Sequence, residues 1–451
     1  MRRRSFIQSA GTLGALVPAG RSTGALGAAV GSTYPPVRKL AGMTLAQLRQ
    51  RYRDELFGKL LPFWDRHGVD HQYGGVMHAL DYDGTVVNSD KLSWFLGRAI
   101  WVYSFLYNHF QSNPAYLEVA RKTKEFLLKN APQTDGWWAE AFSREGKVIK
   151  PFAGDLYGMY FSAEGLQEYA WAAKDEQARD LAFSLMKKLY RRIQEPHFRC
   201  MDTNAPGQRT QGLWMVNLST ARQMLARWPN PEMRALLDLA LDAVVNHHYN
   251  PEIGLNNEVL NTDFSRPKEE ATKCIPGHSI ETLWMIQDEA LRRGDLKLWD
   301  TCAQRIHKHL EVGWDHVYGG LCECVNVDQG GYVWPVETPV GTDLKFRFVG
   351  EYFYMKPLWG LNEILVATLN ILEQTGADWA ARYFEMAQQL INEKFSMTKR
   401  GQPGYMLFGD RRMTSTAHTA RQDNYHPLRQ LMLNLLTLDR MIQREGRPAR
   451  S

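Results

Sequence analysis

Two copies of one turn, far apart in the chain, constrain the fold more than any other feature. Asp70-His71-Gln72-Tyr73-Gly74-Gly75 leads into a short alternating stretch ending at Asp83-Gly84; Asp315-His316-Val317-Tyr318-Gly319-Gly320 does the same and ends at Asp328. Weaker versions occur at Asp135-Gly136-Trp137, Phe198-Arg199-Cys200, Ile253-Gly254-Leu255 and Pro403-Gly404-Tyr405. Successive turns lie roughly 55–85 residues apart, room for a helical hairpin plus a β-ribbon. Apolar residues recur at helical spacing over 92–108, 114–129, 157–173, 176–192, 213–227, 232–248, 278–293, 297–312, 354–372, 379–395 and 427–442. Six such units predict an all-α fold, a closed (α/α)6 barrel of helix hairpins with short β-ribbons at one mouth. An open solenoid is the alternative. Closure is preferred because neither end carries a polar capping repeat.

The chain has 451 residues, 44% apolar and 23% charged, which suits a large globular core and excludes wholesale disorder. Of the net charge of +5, Arg2, Arg3, Arg4 and Arg21 account for four, so 5 − 4 leaves +1 for residues 33–451. No basic face remains to support nucleic-acid binding. Residues 1–32 resemble a twin-arginine export signal: Arg3-Arg4-Ser5-Phe6, an apolar stretch from Gly11 to Gly20, then small residues. The expectation is a periplasmic protein whose catalytic unit is residues 33–451, with no stable membrane association once the signal is removed. No later apolar run approaches the ~20 residues needed to span a bilayer. Five cysteines, Cys200, Cys274, Cys302, Cys322 and Cys324, form no disulfide pattern, and Cys322-x-Cys324 without a partner pair is a weak metal signal.

Nucleophile elbows, phosphate loops and zinc motifs are absent from the sequence. Histidines and carboxylates at helix starts remain. In Pro276-Gly277-His278-Ser279-Ile280-Glu281 the last residue lies one turn from His278, where a carboxylate can orient the imidazole or simply complement the helix dipole. His426 precedes Pro427 at another helix start, and Arg98 is alone on an apolar helix, so it needs an ionic partner or a ligand. His247-His248 and His307 with His309 read as exposed helix ends.

The segments 90–101, 276–281 and 426–429, in this order and at these separations, resemble the N-acylglucosamine 2-epimerase superfamily, which includes cellobiose 2-epimerases and mannose isomerases. The resemblance spans about residues 45–441 and is most specific at Pro276-Gly277-His278 with Glu281 and at His426-Pro427 with Arg429. It implies an (α/α)6 barrel in which His278 and His426 are the acid and base. It further implies that Glu281 supports His278 and that Arg98, Asn217, Glu258, Trp359, Glu363 and Arg429 bind the sugar. Asn217 stands where cellobiose epimerases have a histidine, which points to the N-acylglucosamine branch. Trp359 is the one tryptophan left of a family pair. The implied reaction is proton exchange at C2 of a reducing sugar through an enediol-type intermediate, with no metal, redox cofactor or nucleotide. Aldose–ketose isomerisation by the same groups is the nearest alternative. The barrel also hosts glycoside hydrolases, for which Asp155, Glu164, Glu258 and Asp343 are available carboxylates, and a carbohydrate-binding protein is the third reading. Monomer and homodimer both remain open.

Overall fold

The computed structural model describes residues 37–201, 203–327, 355–413 and 421–445; the export signal, Asp328 and Asp343 lie outside them. Among the described residues, six helices form an inner ring: α2 (Ser93–His109), α4 (Tyr157–Ala173), α6 (Gln211–Leu225), α8 (Pro276–Arg293), α10 (Leu358–Thr375) and α12 (His426–Glu445). Six more cover them: α1 (Leu45–Arg53), α3 (Pro114–Asn130), α5 (Glu176–Ile193), α7 (Pro231–Asp242), α9 (Leu296–Gly313) and α11 (Asp378–Leu390). Each inner helix packs on the next, and α12 packs back on α2, so the ring closes and the solenoid is excluded. The outer helix α1 seals the seam by packing on α12. It carries no weight in the sequence reading, because Gly58 and Pro62 interrupt the stretch that follows it.

Burial separates the two rings. In α5 the buried residues Ala178, Ala182, Leu185, Met186, Leu189 and Ile193 form one stripe, as an outer helix requires. In α2 nearly every residue from Ser93 to Leu106 is buried, as expected of a helix covered on both sides. The repeated connectors are small antiparallel turns: bridges join Val69 to Val76, Pro132 to Trp138, Trp314 to Leu321 and Ser396 to Tyr405. Tyr249–Asn250 pairs with Leu255–Asn256, and the Gly207 N–H donates to the Phe198 carbonyl.

In the two strong copies the turn is built identically. Gly74, Gly75, Gly319 and Gly320 all have φ between 78° and 90°, a region that favours glycine. Lys91 Nζ donates to Asp70 Oδ2 (2.9 Å) and the Gly74 carbonyl (2.7 Å); Lys356 Nζ donates to Asp315 Oδ2 (2.9 Å) and the Gly319 carbonyl (2.6 Å). Both lysine side chains are fully buried. Lys356→Met is therefore expected to cost about 1.5–3 kcal/mol, because it removes the buried cation and leaves the Asp315 carboxylate to Arg411 at 3.6 Å and two backbone N–H groups. Urea unfolding checks this.

Helix starts explain why the site lies at one mouth. Asn113, Asp175, Asn230 and Asp295 cap outer helices with their side chains. Inner helices start from Leu92, Leu156, Thr210, Ile275 and Pro357 with no side-chain bond from the capping residue. Ribbon carbonyls take that place at three of them. The N–H groups of Ser93, Gln211 and Leu358 donate to Glu140 (2.9 Å), Glu258 (2.7 Å) and Leu407 (2.8 Å). Ribbon side chains are thereby fixed beside the positive ends of inner helices. The five cysteines are free.

Candidate active site

His278 is the third residue of α8, after Pro276 and Gly277. A Cβ at Gly277 would run into the Trp359 ring, so glycine allows the indole to lie over this helix start. The His278 imidazole stands 5.2 Å from the Trp359 ring centre, and the His426 imidazole stands 5.7 Å from it. Two histidines from distant parts of the chain thus share one aromatic wall.

Each imidazole is anchored through Nδ1 by its own carboxylate. His278 Nδ1 lies 3.0 Å from Glu258 Oε1, and His426 Nδ1 lies 3.0 Å from Glu363 Oε1. Both acids are buried. This corrects the expectation for Glu281, whose carboxylate bonds Arg429 and reaches His278 only through space. A guanidinium across the barrel offers a charge-assisted bond that a neighbouring imidazole does not match. Glu258 and Glu363, expected to hold sugar, each give one carboxyl oxygen to a histidine. Arg429, also expected to hold sugar, is engaged by protein groups through its terminal nitrogens. It donates to Glu281, to Glu363 Oε1 (2.7 Å) and to Tyr425 Oη (3.3 Å), with 3% of its surface exposed.

The two histidines differ in charge environment. Burial alone would lower the His278 pKa, but Glu258, with Glu281 and Glu323 behind it, raises it to about 9. On the other side, Arg98 Nη2 lies 3.4 Å from His426 Nε2. The shorter contact, Nδ1 to Glu363 Oε1 at 3.0 Å, favours the proton on Nδ1, which turns the Nε2 lone pair toward Arg98. Arg98 is stacked on Phe161 (4.1 Å to the ring centre) and Tyr425 (4.5 Å), and its Nε has no hydrogen-bond partner among the described residues. A buried donor without a partner beside a histidine is what a binding site for a sugar oxygen requires.

Asn217 does not join this group. Its amide donates to Tyr160 Oη (2.8 Å) and the Leu213 carbonyl (2.7 Å), deep within α6. Among the carboxylates open to a hydrolase reading, Glu164 accepts from Tyr425 Oη (2.9 Å), Gln223 (2.7 Å) and Ser219 (3.1 Å). Asp155 accepts the Tyr157 N–H (2.8 Å).

Two histidines read as exposed are fully buried. His309 Nε2 accepts the Asn256 N–H (3.0 Å), and His248 Nδ1 bonds the Asn257 carbonyl (2.7 Å). Burial lowers the pKa of each to about 4, so both stay neutral and fix the segment just before Glu258. Trp284, absent from the sequence reading, donates to Glu363 Oε2 (2.9 Å); its position one turn beyond Glu281 on α8 is the signal that could have found it. Glu281, Glu363 and His426 bring donor atoms within 4.8 Å of one another, as a metal would need. The Arg429 guanidinium bonds both carboxylates and lies 3.5 Å from His426 Nδ1, so a cation of the protein's own already serves this donor set.

The sequence model of the family described as N-acylglucosamine 2-epimerase (GlcNAc 2-epimerase) matches residues 74–429. The N-acylglucosamine 2-epimerase of Bos taurus is 24% identical over 379 residues, covering 80% of this chain and 83% of its own. Among solved structures, the cellobiose 2-epimerase from Bacillus thermoamylovorans B4167 superposes with a TM-score of 0.70 at 16% identity, over 88% of this chain and 100% of that one. A D-mannose isomerase gives 0.71 at 13% identity, over 90% and 100%. Both structural likenesses are likenesses of fold.

Proposed function

The chain belongs to the N-acylglucosamine 2-epimerase family, and from that premise we propose a sugar 2-epimerase in which His426 and His278 exchange the proton at C2 of a reducing sugar. The single observation that carries this reading is the pair of imidazoles against Trp359, each tied through Nδ1 to a separate buried carboxylate. With Nδ1 occupied, Nε2 of each ring is the atom left for the substrate.

The open-chain sugar lies against Trp359, and its C1 carbonyl acidifies the C2 proton. His426, neutral with its lone pair on Nε2, takes that proton. Arg98 beside it holds the oxygen that gains charge in the enediol-type intermediate. His278, protonated at neutral pH, returns a proton from Nε2 to the other face of C2. The C2–H bond that breaks and the one that forms are on opposite faces, so the configuration inverts. In the reverse direction the two rings exchange roles. If the proton goes to C1 instead, the same groups make a ketose, which is the second reading.

Proton NMR of the protein in D2O with N-acetylmannosamine, mannose, glucose and cellobiose tests the proposal. Loss of one sugar's H2 signal together with growth of its C2 epimer is the expected result. A ketose would support the isomerase, and four unchanged sugars would remove the reading. The pH profile carries a second prediction. His278 must be protonated to act as acid, so kcat/KM for the direction that starts at His426 falls as pH rises through about 9. Glu258→Gln removes the main support of the imidazolium and moves this limb down toward 6.5.

We also propose export, on the Arg3-Arg4 signal. Changing both arginines to lysine should leave the protein in the cytoplasm on cell fractionation, and unchanged periplasmic recovery would refute the assignment. Among the described residues no helix is long and apolar enough to cross a membrane.

A further inference from the structure

The two strong copies of the repeated turn deliver a titratable side chain at the same step. Counting from Asp70 and Asp315, the ninth residue is His78 in one copy and Glu323 in the other. The buried Lys91 and Lys356 pairs show that the turns superimpose in construction, so the two side chains leave corresponding turns at the barrel mouth. His78 stacks on Phe95 (4.2 Å, 9° between planes), and its carbonyl accepts the Gln422 N–H in the segment that leads to His426. Glu323 stands on the His278 side. Its backbone N–H donates to the Met355 carbonyl (3.0 Å), and pairing of Lys273–Cys274 with Val325–Asn326 holds its strand beside the start of α8.

The Glu323 carboxyl feels the charges of His278 and Glu258 and the Trp359 side chain, and more weakly Arg421. Its Oε2 is buried and has no partner among the described residues. Glu258 Oε2, across His278, is in the same condition. Buried carboxyl oxygens are ordinarily paired, and leaving them open costs stability. Two of them around one imidazole mark the place where a ligand supplies hydrogen-bond donors.

We propose that Glu323 is a further substrate-binding residue, whose unpartnered carboxyl oxygen takes a hydroxyl of the sugar beside His278. This rests on the reading of the site as a C2 epimerase. It assigns the contact to a hydroxyl adjoining the reacting carbon. Burial raises the Glu323 carboxyl to about 7, so its protonated form is accessible and glutamine is a close mimic. The role is binding, since His278 and His426 already supply the proton transfers.

The test compares Glu323→Ala and Glu323→Gln in the full chain, with whichever of the four sugars the wild type converts. Glu323→Ala should raise KM by about tenfold, the loss of one hydrogen bond to an ionisable group, while kcat changes less than about threefold. Glu323→Gln should restore most of the KM, and both thermal midpoints should match the wild type. A KM for Glu323→Ala within about twofold of wild type overturns the proposal, as does an equal loss in both variants with a lowered midpoint. A wild type that exchanges no H2 would defeat the epimerase reading, and Glu323 is then decided separately by quenching of tryptophan emission with N-acetylglucosamine. Half-saturation about tenfold weaker in Glu323→Ala supports the contact. Equal half-saturation, or no quenching by the wild type, overturns it.

Discussion

Replacing either His278 or His426 with asparagine lowers kcat for interconversion by about 10²–10⁴, while the fold survives. Asparagine can keep a hydrogen bond to Glu258 or Glu363, so the anchoring carboxylates are not stranded. What it lacks is a group that carries a proton at the Nε2 position. Neither histidine substitutes for the other, because they stand at different places on Trp359 and hold different partners. Initial rates by NMR or a coupled assay, with thermal midpoints alongside, check the result. A variant that keeps more than about a tenth of the wild-type kcat would remove that histidine from the chemistry.

Arg429→Leu has the largest expected effect on stability. The guanidinium joins Glu281, Glu363 and Tyr425 in a region where none of the four is more than 4% exposed. Burial pushes the Glu363 carboxyl up, but Arg429, then His426, overcome this and hold it below its ordinary 4.5. A depressed carboxyl adds stability above its unfolded value that is lost as pH falls below it. Leucine leaves two buried carboxylates facing each other, a cost of about 3–5 kcal/mol in urea unfolding at pH 7. It also releases the Glu363 anchor of His426, so activity falls with stability. Adding Glu281→Gln to Arg429→Leu should recover part of the stability, since one stranded charge is removed. Equal stability of Arg429→Leu and wild type would contradict this account of the site's support.

The barrel was readable because its signals are local and repeated: helical spacing, prolines at helix starts and the Gly-Gly turns. Helix ends moved by a few residues where ribbons intervene. Apolar spacing predicts a start of α10 at residue 354, whereas the Lys356–Pro357 strand delays it to Leu358. The two histidines and Arg98 were readable because each sits at a place that propensity leaves unexplained. Their partners were not. Glu281 is one turn from His278 in sequence, yet the rotamer that completes the Arg429 pair wins, and Glu258, twenty residues upstream, reaches the imidazole from a ribbon. Only the closed ring sets such a choice. His248 and His309 escape the sequence for the same reason: at helix ends they look exposed, but residues Asn256 and Asn257 lie over them.

The most direct test of the two-histidine account is face-resolved exchange in D2O by the single variants. His426→Asn retains His278, and His278→Asn retains His426. Each should wash deuterium into C2 of one epimer only, the opposite one in the two variants, while interconversion stops in both. Exchange into both epimers by either variant, or exchange into the same epimer by both, would contradict proton transfer from two faces by these two residues.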